Sequence, residues 1–358
     1  MNYYIHVPFC RSKCGYCAFY SEAAPVPGAV DAYLDRLEFQ FERLEPAEPC
    51  ETVYFGGGTP TLLSEMQLER LFSMTARALR PDSETEISIE ANPETLTVPK
   101  IALLRAFASR ISLGVQSFDA RFRATLGRDC EQAALERAIE RVAAARFPHW
   151  SCDLIYAIPG QGPADFERDL ARAVALGIDH LSCYSLTPEE GARLADSLIP
   201  DEDDAARMWE LAGRCGLPRY EISNYAAPGC ECRHNRNVWR GGLLTGLGPA
   251  AAGFDGTDRK SEPASLAGWL RGDPPEIDAI APAERLNEIF AVNLRTASGW
   301  TPELWAKVPN ADAWDARVAA ARRAAAETLP EWFDISPERI TLSDSGLLFW
   351  NTVAETIL

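Results

Sequence analysis

Segments that predict strands alternate with segments that predict helices along the first two thirds of this chain, and this pattern constrains its fold more than any other feature. Runs of β-branched and aromatic residues indicate the strands, and apolar residues recurring every three to four positions indicate the helices between them. The predicted strands are residues 3–7, 52–55, 86–90, 110–115, 151–156 and 180–186. Such successive strand–helix units favour a parallel sheet with right-handed connections and functional residues at the carboxyl ends of the strands. We therefore expect an α/β fold, a partial (β/α)6 barrel of the TIM type, with a doubly wound sheet as the alternative.

The pattern changes after residue 217. The elements predicted there are a strand at 220–225, a segment rich in glycine, asparagine and aromatic residues at 228–253, helices at 284–294 and 312–328, a hairpin of 339–342 with 347–350, and a last helix from 351. We predict a barrel domain over 1–217, a connecting segment over 218–260, and a small α+β domain, winged-helix-like, over 261–358. Because the residues of this last domain form no basic patch, we do not expect it to bind DNA.

The composition argues against several classes of function. The formal net charge of −17 repels nucleic acid and anionic lipid surfaces. The chain contains no uncharged apolar run of roughly 18 residues, so we expect no membrane span. It enters its first strand directly, which leaves no room for a signal peptide, and its ten cysteines indicate a reducing compartment. We expect a cytoplasmic protein that does not bind nucleic acid and has no membrane span.

Three cysteines follow the first predicted strand with the spacing CxxxCxxC: Cys10, Cys14 and Cys17. Thiolates are the soft ligands that iron–sulfur clusters take, and this loop is too tight to pair its cysteines comfortably as disulfides. Three ligands on a cubane of four irons would leave one iron open to chelation by a small molecule. A zinc site or three incidental thiols are the alternatives, but zinc sites usually show paired CxxC units and a fourth ligand nearby.

The cysteine spacing resembles that of the radical S-adenosylmethionine (SAM) superfamily, whose members hold a 4Fe–4S cluster in this way. Motifs at 4–10, 56–60, 114–118, 153–156 and 232–235 are similar to those of one group within it, which contains anaerobic coproporphyrinogen III oxidases and HemW-type heme chaperones. This resemblance implies that SAM chelates the open iron. It places SAM contacts at Tyr4, Tyr16, Gly58, Thr59, Glu90, Gln116, Arg128 and Asp153, with Ser185 as a further position.

The chemistry of these residues suits such a ligand. Glycines at 56–58 carry no Cβ and let a backbone approach a ligand closely, and their N–H and C=O groups suit the amino and carboxylate ends of SAM. Carboxylates suit ribose hydroxyls, and an arginine suits the methionine carboxylate. For each polar residue taken singly, a capping role or a solvated loop end is the alternative interpretation.

Several features favour the chaperone branch of the group. The oxidases carry a fourth cysteine two residues after the third, where this chain has Phe19, and they have an arm before the first strand. The segment 232–235 with Trp239 resembles the HNxxYW element associated with heme binding, although Val238 replaces the tyrosine. The resemblance therefore implies heme contacts at His234, Asn235 and Trp239.

Chemistry alone supports a weaker statement about this element. A neutral His234 imidazole is able to ligate iron, but an ordinary loop histidine is the alternative. The CxC pair at 230–232 is interpreted as free thiols, with a thiolate contact to heme as the second option. His6 is interpreted as structural or substrate-facing, and His149 and His180, at strand starts, are assigned no role.

The resemblance implies a function as well as a fold. It implies heme binding and transfer to an acceptor protein, assisted or regulated by SAM and the cluster, with an electron donor such as a flavodoxin or ferredoxin. The competing hypothesis is catalytic, namely oxidative decarboxylation of coproporphyrinogen III propionates.

Overall fold

The computed structural model of the chain describes residues 1–45, 48–128, 130–187 and 202–358. Its strands are β1 Asn2–Val7, β2 Phe9–Cys10, β3 Glu22–Ala23, β4 Thr52–Gly57, β5 Glu86–Ala91, β6 Arg110–Gln116, β7 His149–Tyr156, β8 His180–Ser185, β9 Arg219–Glu221, β10 Asn224–Ala226, β11 Leu244–Leu247, β12 Ala252–Phe254, β13 Arg259–Ser261, β14 Glu276–Asp278, β15 Phe333–Ile335 and β16 Ile340–Leu342. Its α-helices are α1 Ala29–Glu42, α2 Glu65–Leu79, α3 Val98–Phe107, α4 Ala120–Thr125, α5 Gln132–Ala145, α6 Pro163–Ala175, α7 Glu202–Gly213, α8 Arg233–Trp239, α9 Leu266–Arg271, α10 Pro282–Asn293, α11 Pro302–Trp305, α12 Trp314–Glu327, α13 Asp344–Leu348 and α14 Trp350–Ile357. No helix in these described ranges is both long and apolar enough to cross a bilayer.

Twelve of the described strands form one sheet, in the order β14–β13–β12–β11–β1–β4–β5–β6–β7–β8–β10–β9. Neighbours from β11 to β8 are parallel, whereas the strands on both flanks are antiparallel. At least one helix connects each of β1, β4, β5, β6 and β7 to the next strand of the parallel series. The predicted α/β fold with six parallel strands is confirmed. The sheet gains a seventh parallel strand, β11, which the sequence pattern did not indicate.

Residues alternate between two chemically different faces along the parallel strands. The apolar face packs into the main hydrophobic core, and its members include Val53, Phe55, Ile87, Ile89, Ile111, Leu113, Cys152 and Leu154. The alternate residues line a cavity, and they include Tyr54, Ser88, Glu90, Arg110, Ser112, Ser151 and Asp153. Parallel strands are usually apolar on both faces because helices cover both. Here only one face is apolar, which leaves the other face free to carry polar groups.

Helix and strand ends follow local signals where these are strong. Ser64 and Gln67 form the capping box that the sequence predicts, so α2 begins directly after Ser64. The predicted strand at 220–225 is wrong as a single element, because β9 and β10 form an antiparallel pair there. The Glu221 carboxylate accepts hydrogen bonds from Ser223 N at 3.0 Å and Asn224 Nδ2 at 2.7 Å, which stabilises the turn between them.

The predicted hairpin of 339–342 with 347–350 is also wrong. β16 pairs instead with β15, the strand before it. Ser343 caps a helix because its hydroxyl accepts a hydrogen bond from Gly346 N at 3.2 Å, so the residues expected to form the turn and second strand are helical.

A second hydrophobic core lies in the carboxyl-terminal region. Trp300 and Trp305 meet edge to face with their ring centroids 5.0 Å apart, and Phe290 packs against Trp305 at 5.8 Å. Apart from Trp209, the buried members of this core all follow Asp278. The strands β13 and β14 before it belong to the large sheet. The division of the chain at residues 217 and 260 stays a prediction.

A buried ion pair joins the β9–β10 turn to the end of α10. The Glu221 side chain is 0% exposed, and Arg295 Nη2 lies 2.5 Å from its Oε1. Arg295 Nε donates to the same oxygen at 2.6 Å. Because the second carboxylate oxygen is already hydrogen-bonded in the turn, the Glu221 charge is fully compensated only while Arg295 is present.

We expect Arg295→Ala to lower the free energy of unfolding by about 3–5 kcal/mol, because it leaves the buried carboxylate without its cation. Glu221→Gln is expected to cost less, because the Arg295 side chain is 27% exposed and water solvates it. Urea denaturation followed by circular dichroism measures both changes. Arg214→Ala, which breaks an exposed pair with Glu210, is the control and is expected to cost less than about 1 kcal/mol. Equal losses for Arg295→Ala and Arg214→Ala would contradict the role of Arg295 as the compensating cation.

Candidate functional site

The CxxxCxxC cysteines lie in the loop that follows β1, at the carboxyl edge of the parallel sheet. Cys10 belongs to β2, which pairs with β3 further along the loop. On the other side, Gly15 N donates to Leu126 O at 3.0 Å. The loop is therefore fastened to the fold at its first cysteine and again between the second and the third, and all three cysteines are partly exposed.

The three cysteine sulfurs are not gathered as closely as the ligands of a single small ion. A tetrahedral zinc ion, with Zn–S bonds of about 2.3 Å, holds its sulfurs within about 4 Å of one another. Among the residues that the structure describes, only one set of three His, Cys, Asp or Glu ligand atoms lies within 4.8 Å of one another, and it does not include Cys10, Cys14 or Cys17. Three thiols are the type of donor that an iron–sulfur cubane takes.

A series of hydrogen bonds leads from the cysteine loop to the strand ends and back. Thr59 Oγ1 donates to Cys10 Sγ at 3.7 Å and accepts from Asn92 Nδ2 at 2.8 Å. Arg128 donates to Asn92 Oδ1 through Nη2, and to the hydroxyl of Tyr16 through Nη1 at 3.3 Å. Because Tyr16 belongs to the CxxxCxxC loop, the series returns to its starting point. It fixes the loop relative to the ends of β4 and β5.

Arg128 is the cation of this series. It is only 8% exposed, and its Nη2 also donates to Gly114 O at 2.9 Å. Burial opposes its charge, but the neighbouring Tyr16, Cys14 and Glu94 raise its pKa above the ordinary value. Burial raises the pKa of the Cys14 thiol, and the positive charge of Arg128 opposes that shift. Arg128 is thus a permanent buried cation beside the cysteines, suited to an anionic group.

The glycines at 56–58 attach the end of β4 to the strand that precedes the cysteines. Gly58 N donates to Val7 O at 2.8 Å, and Thr59 N donates to Phe9 O at 2.8 Å. A Cβ on Gly58 would lie 2.7 Å from Phe9 O, which is too close for any other residue. The Gly58 N–H is therefore occupied by the protein backbone and is not open to a ligand carboxylate, whereas the expected contact of SAM with the C=O groups of this turn stays a prediction.

His6 is a structural residue of this region. Its Nδ1 is hydrogen-bonded to the Tyr4 hydroxyl at 3.1 Å and its Nε2 to Tyr20 O at 3.0 Å, so both ring nitrogens are occupied. Burial lowers its pKa, although the bond to Tyr20 opposes this shift. Gly57 has a φ of +105°, and a Cβ there would lie 2.5 Å from the His6 ring. The ring therefore requires glycine at that position.

Gln116 is held in a strained backbone conformation at the end of β6. Its φ is +66°, in the left-handed region that residues with a Cβ rarely adopt. The pairing of β6 with β7 shifts register between Gly114 and Gln116. A Cβ on Gly114 would lie 3.1 Å from both Gln116 Nε2 and Arg128 Nη2, so the amide and the guanidinium converge there. Strain of this kind collects at functional sites, where packing overrides the local preference.

Two carboxylates meet on the polar face, Glu90 on β5 and Asp153 on β7. Burial and the charge of Asp153 raise the pKa of Glu90 to about 7. Hydrogen bonds from the Tyr54 hydroxyl at 2.9 Å and from the Gly57 backbone act in the opposite direction and lower it. Burial also raises the pKa of Asp153, although Ser112 donates to it at 2.8 Å. The carboxylates are suited to accept hydrogen bonds from ligand hydroxyls.

The cavity extends from these carboxylates toward the amino ends of the strands, where Asn235 contributes to its wall. Four buried atoms of its lining have no hydrogen-bond partner among the described residues: Ser88 Oγ, Arg110 Nε, Arg110 Nη1 and His180 Nδ1. Buried polar atoms of this kind require water or a polar ligand. His180, which sequence reasoning left without a role, bonds the Tyr220 hydroxyl through Nε2 at 2.8 Å, and burial lowers its pKa to about 3.

Helix α8, which carries the HNxxYW-like element, packs against the amino ends of β4 and β5. His234 is 4% exposed, and its ring Nδ1 is 2.8 Å from Thr52 Oγ1. Its backbone N–H donates to Glu86 Oε1 at 3.0 Å. The ring centroid lies 5.1 Å from that of Tyr54, and burial lowers the pKa of His234 to about 3. The imidazole thus faces inward. A porphyrin outside the barrel does not reach it in this conformation.

The other residues around α8 differ in exposure. Trp239 is partly exposed, with its ring 6.1 Å from that of Tyr220 and the Arg295 guanidinium 5.4 Å from its centroid. Cys232 is buried and its Sγ donates to Glu86 Oε1 at 3.6 Å; burial and Glu86 raise its pKa to about 12. Cys232 is therefore a protonated interior thiol.

The structure places most residues that the resemblance assigns to SAM on the polar face or at its carboxyl edge. These are Tyr4, Tyr16, Gly58, Thr59, Glu90, Gln116, Arg128 and Asp153. Ser185 is apart from them. Ser182 and Tyr184 line the cavity from one face of β8, and Ser185, the next residue after Tyr184, lies on the opposite face. His234, Asn235 and Trp239 lie at the opposite, amino-terminal end of the strands. These assignments stay predictions.

Sequence reasoning missed two residues of the site. Asn92 connects Thr59 to Arg128. The sequence feature that could have identified it is its position at the end of a strand, two residues after Glu90. Tyr54 donates to Glu90 and packs against His234, and its signal was its alternation with apolar neighbours in β4.

Comparison with known proteins decides the family. The sequence profile of the Radical SAM superfamily matches residues 4–173. A heme chaperone HemW of Mycobacterium tuberculosis is 35% identical, over 99% of this chain and 94% of its own length. The HemW of a Synechocystis species is 32% identical, over 86% of this chain and 80% of its own. The chain belongs to the HemW family of the radical SAM superfamily.

A solved structure agrees with this assignment at the level of the fold. The coproporphyrinogen III oxidase HemN of Escherichia coli, a radical SAM enzyme, superposes with a TM-score of 0.85 at 20% identity, over 99% of this chain and 89% of its own. The predicted radical SAM fold class is confirmed. Membership of the superfamily implies a 4Fe–4S cluster and SAM, and the cysteine loop and the polar edge beside it have donor sets that fit both.

We expect the contribution of Glu90 to the stability of the chain to fall as pH rises from about 4.5 to about 7. Its folded pKa of about 7 lies above the unfolded value of about 4.3, so the folded state binds the extra proton in this window. Glu90→Gln removes this contribution. The difference in free energy of unfolding between the variant and wild type is therefore expected to shift by on the order of 2 kcal/mol in favour of the variant when the pH is raised from 5 to 8. Thermal melts at both pH values measure it, with the exposed Glu69→Gln as control. A difference between Glu90→Gln and wild type that does not change with pH would refute the assignment.

Proposed function

We propose that this chain is a heme chaperone that carries a 4Fe–4S cluster and SAM, binds heme, and passes it to an acceptor protein. The near full-length similarity to HemW heme chaperones carries the proposal. The oxidase relative supports the fold alone, because its identity to this chain is only 20%.

Cys10, Cys14 and Cys17 would hold the cluster, and SAM would take its fourth corner. When bound, the cluster supplies an open iron and a one-electron couple, which a flavodoxin or ferredoxin would reduce. The hydrogen-bond series through Thr59 and Arg128 holds the cysteine loop in place for this role.

Residues beside the cysteine loop would orient the nucleotide. The buried Arg128 cation suits the carboxylate of the methionine moiety, and Glu90 and Asp153 suit ribose hydroxyls. The left-handed backbone of Gln116 directs its amide toward the same space as Arg128. These side chains bind and orient the nucleotide and exclude water from it.

Heme binding at the HNxxYW-like element requires α8 to move in this proposal. His234 is enclosed and bonded to Thr52, so an iron ligand role needs the loss of that bond. Trp239, Asn235 and the exposed arginine side of α8 would then contact the porphyrin and its propionates.

Reconstitution tests the cluster. Anaerobic incubation with iron and sulfide is expected to load about four irons and four sulfides per chain, and Cys10→Ala, Cys14→Ala and Cys17→Ala combined are expected to load none. The matched control is Cys50→Ala with Cys215→Ala, two partly exposed cysteines outside the motif. Equal loading of the triple variant and the control would overturn the proposal.

Heme titration tests the role of His234. If His234 becomes an axial ligand, His234→Ala is expected to change the Soret band and weaken heme binding about tenfold or more. Thr52→Val, which removes the hydroxyl bonded to the ring and to Asn2 but keeps the imidazole, is expected to keep the ligand-dependent spectrum. If His234 serves packing alone, both variants lower the melting temperature and leave the heme spectrum as in wild type. That second result would remove His234 from the proposal.

A turnover assay separates the chaperone from the oxidase. Anaerobic incubation with SAM, reductant and coproporphyrinogen III is expected to release no carbon dioxide, while heme loaded on the chain is expected to move to an apo acceptor. Release of carbon dioxide with formation of protoporphyrinogen would contradict the chaperone function and support the oxidase function.

A further inference from the structure

Three potential metal ligands meet at the amino-terminal edge of the sheet, away from the cysteine loop. His149 begins β7, Asp179 directly precedes β8, and Cys230 lies in the loop before α8. Their ligand atoms all lie within 4.8 Å of one another, and no other such set of three occurs in the part of the chain that the structure describes. Three separate segments of the chain supply them, so the tertiary fold alone brings them together.

The His149–Asp179 pair is oriented by its surroundings. His149 Nδ1 lies 2.6 Å from Asp179 Oδ2, and the other carboxylate oxygen accepts a hydrogen bond from Trp150 N at 3.2 Å. This second bond fixes the carboxylate, as outer contacts do for the ligands of metal sites. The side chains of His149 and Asp179 are 31% and 23% exposed, so an ion can enter from solvent.

The backbone around Cys230 is anchored to the same edge. Cys230 N donates to Ala227 O at 2.9 Å, and Ala227 N donates to Asp179 O at 2.9 Å. Cys230 O accepts from the buried Arg110 Nη2 at 2.8 Å. The thiol is therefore presented to Asp179 by a fixed turn.

We propose that His149, Asp179 and Cys230 bind a divalent cation of borderline softness, of which Zn²⁺ is the type. One nitrogen, one oxygen and one sulfur are the donors that zinc takes, and three protein ligands leave a fourth position for water. On binding, bonds to the ion replace the hydrogen bond between His149 and Asp179, and the neutral imidazole keeps its proton on the ring nitrogen that faces away from the ion. A metal–sulfur bond replaces the S–H bond of Cys230, and that proton passes to solvent. No electron is transferred.

The bound ion would clamp the loop before α8 to β7 and β8. Because α8 begins three residues after Cys230 and carries His234, the clamp would also stabilise the closed position of that helix. This inference does not depend on the proposed chaperone function.

Zinc titration tests the site. Zn²⁺ is titrated anaerobically by calorimetry into the chain with its cluster reconstituted, and bound zinc is counted after gel filtration. We expect one zinc per chain and a raised melting temperature. Cys230→Ser and His149→Ala are each expected to weaken binding at least tenfold, whereas Cys215→Ser, at another partly exposed thiol, is expected to leave it unchanged.

A cobalt spectrum keeps the test valid if a variant folds poorly. Co²⁺ added to the Cys10→Ala, Cys14→Ala, Cys17→Ala variant is expected to show a cobalt–thiolate charge-transfer band, which the additional change Cys230→Ser removes. Asp179→Asn, whose amide oxygen keeps only one of the two acceptor positions of the carboxylate, is expected to weaken zinc binding at least tenfold. Zinc binding that survives Cys230→Ser and His149→Ala, or the absence of the cobalt band, would overturn the site.

Discussion

The alternation of apolar and polar residues along the parallel strands is the constraint on which the rest of the structure depends. Apolar positions such as Phe55 and Leu113 pack under the helices and supply the burial that stabilises the sheet. The intervening positions place Glu90, Asp153 and Arg110 inside the protein, where isolated charges are costly. Hydrogen bonds, ion pairing and raised carboxyl pKa values offset that cost, and the apolar face supplies the remaining stability.

The two ends of this polar face have different tasks. At the carboxyl end, the series from Thr59 through Asn92 to Arg128 fastens the cysteine loop. At the amino end, α8 encloses His234 against Thr52. A strand of six residues spans about 20 Å, so the cluster ligands and the HNxxYW-like histidine are separated by the length of the barrel. Heme held at His234 would therefore communicate with the cluster through the polar interior or through movement of α8, not by direct contact.

Sequence reasoning succeeded where local signals were strong. The six parallel strands and the capping box at Ser64 follow from residue pattern, which acts within a few residues. It failed where distant partners decided the outcome. β11 pairs beside β1 across more than two hundred residues, and the segment after Ser343 becomes helical because β16 already has β15 as its partner. The glycines at 56–58 suggested a ligand cradle, but the N–H of Gly58 already donates to the backbone of Val7.

The sequence by itself determined the parallel α/β architecture and the three-cysteine loop, because these depend on periodicity and spacing along the chain, and its similarity to known proteins determined the family. Only the tertiary structure decided which residues meet. It showed Asn92 between Thr59 and Arg128, turned His234 inward, and gathered His149, Asp179 and Cys230 at one edge. The physical reason is that hydrogen bonding and metal coordination act over about 3 Å in space, and the strand order that sets those distances is not written in any local pattern.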